Sequence, residues 1–167
     1  MHLVSQLATM LAPWQSLYSD SKAVSTTITG THLVSLLGSG GLALGADRST
    51  LRALRGGPDA RARQLTELHA VHRPVLVALI VLFVSGVLLA AADIETFAQS
   101  PTFWVKIALV ALLLVNGALL ARTEQSLRRQ GALASDVLWR RLRASTWASL
   151  ALWLATTVAG TILTSAA

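Results

Sequence analysis

Residues 74–92 read PVLVALIVLFVSGVLLAAA, nineteen positions without a charge, in which only Ser85 brings a polar side chain. As a helix this run is about 28 Å long, close to the ~30 Å hydrocarbon thickness of a bilayer. Backbone groups in hydrocarbon must be satisfied within their own segment, so the run predicts a transmembrane helix. Three further stretches have comparable length: 24–46 before it, then 102–121 and 144–165 after it. None of them holds an acidic residue. The expected fold is therefore all-α, an integral membrane four-helix bundle occupying residues 24–167.

Composition agrees. Of 167 residues, 53% are hydrophobic and 13% charged, against roughly 25% charged in a water-soluble domain. There is no cysteine, which excludes thiolate metal sites, disulfides and cysteine nucleophiles. The net charge of +6 would point to nucleic acid if it were spread over a soluble surface. Instead, six of the 14 Lys and Arg lie from Arg48 to Arg73 and six from Arg122 to Arg143. Such clustering is the signature of loops retained in the cytoplasm. No nucleic-acid partner is expected. The expected topology is N-out and C-out, with loops 47–73 and 122–143 cytoplasmic and the chain in a bacterial inner membrane.

Residues 1–20 form a separate unit. Leu3, Val4, Leu7, Met10, Leu11, Trp14, Leu17 and Tyr18 recur at three- and four-residue spacing, which predicts an amphipathic interfacial helix. Pro13 is a possible division within it. On the cytoplasmic side, Gly56-Gly57-Pro58 breaks the chain and a helical pattern resumes from Ala60, with Arg63 and Glu67 at i,i+4 and a kink or break expected at Pro74. The third span is expected to run on to Arg129 and stop near Gly131.

Few side chains in the spans carry chemistry, so each has weight. His32 lies about eight residues into the first span, and an ionisable group at that depth is a functional candidate. It could ligate haem iron, bind a metal or relay a proton; the bland alternative is a neutral imidazole bonded to a neighbouring helix. His69 and His72 share a helix face, but two ligands without a third make a weak metal site, and no metal centre is expected. Asp47 and Arg48 form a charged step at the inner end of the first span. Lys106, near the outer end of the third, reads as a side chain snorkelling toward acidic Asp93 and Glu95, or as an anion site. Asn116 at mid-span is expected to bond across a helix interface. Gly38, Gly41 and Gly45, with Gly86 and Gly160, offer smooth strips for close helix packing or for a flat cofactor ring.

The run His32-Leu33-Val34-Ser35-Leu36-Leu37-Gly38-Ser39-Gly40 ending in Asp47-Arg48, with Ser85-Gly86, Pro101–Lys106 and Asn116, resembles a family of small bacterial four-helix inner-membrane proteins that has no settled activity. More distantly it is similar to the membrane domain of copper-resistance D-type proteins, which share a histidine in one helix and a lysine opening a later one. The resemblance covers about residues 30–121 and implies the fold without implying an activity. With no catalytic constellation in the sequence, the first expectation is a non-catalytic accessory or scaffolding subunit in contact with lipid and with other membrane subunits or a second copy. The alternatives are a haem- or metal-binding electron-transfer protein that uses His32, with haem b as the cofactor, and a small transporter.

Overall fold

A computed structural model describes the backbone of residues 2–131 and 134–166, with the side chains of 2–5, 72 and 164–166 outside the description. His72, half of the His69/His72 pair, therefore lies outside the described side chains. The described residues are all-helical: α1 (His2–Asp20), α2 (Lys22–Leu54), α3 (Pro58–Ala92), α4 (Ile94–Gln99), α5 (Pro101–Gln130) and α6 (Asp136–Ala166).

Local chemistry sets the boundaries. Ser21 leaves helical geometry and its hydroxyl accepts from the Val24 amide at 3.3 Å, separating α1 from α2. Gly57 precedes Pro58 at the first position of α3, where a missing N–H costs nothing. Asp93 caps the short α4 by accepting from the Thr96 amide. Gly131, at φ 51°, ends α5 in the left-handed region that only glycine enters freely. Neither proline ends its helix, since α1 runs through Pro13 and α3 through Pro74. The connection carrying Asp93 and Glu95 contains the six-residue helix α4, too short to register as a periodic pattern.

The long helices pack in the order α3, α2, α6, α5: α2 lies along α3 and α6, and α6 along α5, while α3 and α5 meet at most at their fringes. The first helix lies across one end of this layer, touching α2, α3 and α4. There the Trp14 indole donates to the Leu88 carbonyl at 3.0 Å and Gln15 to that of Ala91 at 3.4 Å.

The polarity of the assembly is inverted relative to a water-soluble bundle. Among the described residues the buried apolar side chains are six, including Leu127, Leu142 and Trp153, whereas eleven polar or charged ones are buried. Leu37, Val77, Phe83, Val115 and Leu154, by contrast, stand more than half exposed. Apolar outside and hydroxyl-rich inside is the arrangement hydrocarbon solvent selects.

Three helices, α3, α5 and α6 as far as Leu163, are long and apolar enough to cross a membrane. The expectation was four. At 33 residues α2 has the length, but Ser25, Thr26, Thr27, Thr29, Thr31, His32, Ser35 and Ser39 dilute its apolar content. Of these, Ser35 and Ser39 are buried where α2 packs between α3 and α6, whereas Thr26, Thr27, Thr29 and Thr31 are exposed.

Candidate functional site

The polar interior has two regions, one near each end of α2. At the end that follows α1, His32 Nδ1 lies 3.0 Å from Ser85 Oγ on α3. That hydroxyl is itself 2.8 Å from the Val81 carbonyl and 3.0 Å from the Leu82 carbonyl, one turn back along α3. A serine has one proton to give, and the carbonyls take it, so toward His32 the oxygen accepts. The ring proton is thereby assigned to Nδ1, and Nε2 is left with its lone pair. The approach depends on Gly86: a Cβ there would stand 3.2 Å from His32 Cε1, tighter than ordinary contact allows.

From the opposite flank, α5 contributes Lys106. Its Nζ lies 3.5 Å from where a Cβ on Gly160 of α6 would be, and it is near enough to His32 for the two to interact as charges. The expected association with Asp93 and Glu95 is absent: among the described residues no carboxylate lies within 4.0 Å of Lys106, and Asp93 is engaged in capping α4. One turn inward from Gly160 on the same face of α6, Thr156 is 6% exposed and its hydroxyl has no hydrogen-bond partner. Behind Ser85, on another flank of the α2–α3 pair, Ile28, Thr31, Ile80, Val81, Val84 and Leu88 line an open groove of about 250 Å³.

The inner region is a packed polar junction. Asp47 is 4% exposed with Ser149 of α6 as its hydrogen-bonding neighbour, and its Oδ2 has no partner. Gln64 donates to Thr50 at 3.1 Å across α2 and α3, and the Arg61 guanidinium sits 5.3 Å over the Trp139 ring. The described residues contain one ion pair, Arg128 with Glu124 at 3.9 Å. The charged step read at Asp47-Arg48 is therefore split, with Asp47 turned inward to α6 and Arg48 exposed. Consecutive helical residues point about 100° apart, which is what separates them. Arg63 and Glu67 likewise form no ion pair despite their spacing.

Asn116 Nδ2 donates to the Ser145 carbonyl of α6 at 2.8 Å. The glycines divide into two groups. Gly86 and Gly160 clear space for the His32 and Lys106 side chains, which differs from the helix-against-helix role expected of them. Gly38, Gly41 and Gly45 are exposed, and a Cβ on any of them would meet nothing within 4 Å. Among the described residues no helix fills that strip. Gly40, between them, is instead the residue that the Trp153 ring covers at 3.5 Å.

His32 and Lys106 could be singled out separately in the sequence but not joined, because 73 residues and two helices intervene. Ser85 and Thr156 were legible only as hydroxyls in apolar runs. A metal ion held by protein side chains alone is poorly served here, since the described residues contain no group of three or more His, Cys, Asp or Glu placed to hold one. Haem is less demanding: it brings four nitrogens of its own and takes a single imidazole as axial ligand. His32 meets that requirement, with Nδ1 fixed by Ser85 as a ligating histidine's second nitrogen usually is. Against known proteins, no family model, curated protein or solved structure matches the chain.

Proposed function

We propose that this chain is a four-span inner-membrane protein, N-out and C-out, with loops 47–73 and 122–143 in the cytoplasm, and that it binds a b-type haem through His32 for electron transfer. The observation that carries the reading is the Ser85 hydrogen bond, which holds the imidazole through Nδ1 and leaves Nε2 with its lone pair for a ligand. Haem iron would supply one-electron chemistry at that position. The chain's own part is to orient the ring through Ser85 and to clear it through Gly86. The flanking of α2 by α3 and α6 supports counting it as the fourth span despite its hydroxyls, and the arginine clusters support the orientation. The resemblance to small four-helix inner-membrane proteins fits the same reading.

The test is a visible spectrum of the protein purified from its native membrane in mild detergent. A Soret band that His32→Ala removes is expected, with Ser85→Ala reducing haem occupancy. A folded, colourless preparation from a haem-replete host would overturn the reading.

A second reading, a non-catalytic accessory subunit, is favoured by the exposed strip of Gly38, Gly41 and Gly45, which no helix of the chain covers. It requires a stoichiometric partner in native-membrane crosslinking that is lost on Gly41→Leu; crosslinks confined to the chain itself would dismiss it.

A further inference from the structure

Among the described residues the interior contains a cation without a counter-ion. Lys106 is half-buried five residues into α5, and its ammonium is turned sideways against Gly160 rather than toward the helix end. Near the apolar zone an unpaired ammonium is costly, and intramembrane lysines are normally paired or drawn out to water. Here the titratable group it interacts with is another base, His32, and no carboxylate stands within ion-pair distance among the described residues. A second group points to the same deficiency: Thr156, more than nine-tenths buried one turn before Gly160 in α6, has a hydroxyl without a hydrogen-bond partner among the described residues.

We infer that Lys106 and Thr156, beside His32, form a binding site for the anionic head group of an amphiphile, a carboxylate or a phosphate. Charge-assisted hydrogen bonds from the ammonium and a neutral one from the hydroxyl would complete the partners each lacks. The carrier of the head group follows from the surroundings. Val105, Ile107, Val158 and Ile162 on the same stretches of α5 and α6 are exposed and apolar, so the anion arrives on an alkyl chain and not from water. Gly160 is what admits it, because a larger side chain at that position would meet the ammonium. The site stands on its own residues and does not require the haem reading.

The experiment uses the full chain in a non-ionic detergent, with binding read by native mass spectrometry. The probes are lauric acid, didecanoyl phosphatidylglycerol and the uncharged dodecanol. The expected result is that one or both anionic probes bind while the alcohol binds at least about tenfold more weakly, the worth of a hydrogen bond to a charged group. Lauric acid alone binding marks a free carboxylate as the ligand; phosphatidylglycerol binding marks a lipid head group. Lys106→Gln should cost about tenfold, Lys106→Arg should retain most of the binding, and Thr156→Val should weaken it by a smaller factor. His32→Ala, which abolishes any haem, should leave binding in place, so the two proposals fail separately. Equal binding of acid and alcohol by the unmodified chain would overturn the inference, whether or not Lys106→Gln folds. So would undiminished acid binding by a folded Lys106→Gln variant.

Discussion

His32 and Gly86 are a matched pair, and the match is made by a missing atom. With Cβ absent at position 86, the imidazole can lie against α3 and reach Ser85. A methyl group at 3.2 Å demands a shift of a few tenths of an ångström, which the ring can make; a branched side chain demands more. Gly86→Ala is therefore expected to retain the His32–Ser85 bond, and Gly86→Val to break it. Nitrogen NMR of the ring should report the change: a fixed Nδ1–H tautomer in the first variant and an averaged signal in the second. Identical spectra for the two would mean that the glycine is not what seats the ring. The same scale shows why Asp47 and Arg48 part company. Adjacent residues on a helix face different surroundings, so a charged dipeptide does not read as an ion pair without knowing what lies on each side.

Among the elements, α6 holds the layer together, since it touches both α2 and α5. Its bond with α5 is made specific by one amide, Asn116 to the Ser145 carbonyl at 2.8 Å. Interhelical hydrogen bonds in membranes are worth about 1 kcal/mol or somewhat less, because the separated helices find other partners. Asn116→Leu should accordingly lower unfolding stability in bicelles by about 1 kcal/mol. A loss several times larger would mean that the amide organises more than this one contact. At the opposite extreme, α1 was legible as an amphipathic helix from its spacing alone. What spacing could not supply was its footing, the Trp14 indole on the Leu88 carbonyl, because the acceptor belongs to the backbone of another helix.

For the whole molecule, the decisive property is the reversal of inside and outside, with serine, threonine and amide side chains buried and leucine, valine and phenylalanine exposed. That distribution leaves a membrane as the fitting solvent, and the orientation can be tested cleanly because the chain has no cysteine. Ser19→Cys, exposed in α1, should react with a membrane-impermeant maleimide added to intact spheroplasts. Ser135→Cys, exposed before α6, should react only after permeabilisation. The reverse pattern would invert the topology; labelling of both from outside would remove α2 from the spans. By itself the sequence determined helices, their approximate ends and the separation of charge from apolar runs, because these depend on neighbours a few residues apart. Three of the four expected spans are long and apolar enough to cross a membrane, and α2 falls short in apolar content because of its serines and threonines. Only the tertiary structure decided that His32 meets Ser85 and that Gly86 and Gly160 lie against the His32 and Lys106 side chains. Those relations cross four helices, and side-chain meetings at such separations in sequence are set by packing, which local pattern does not encode.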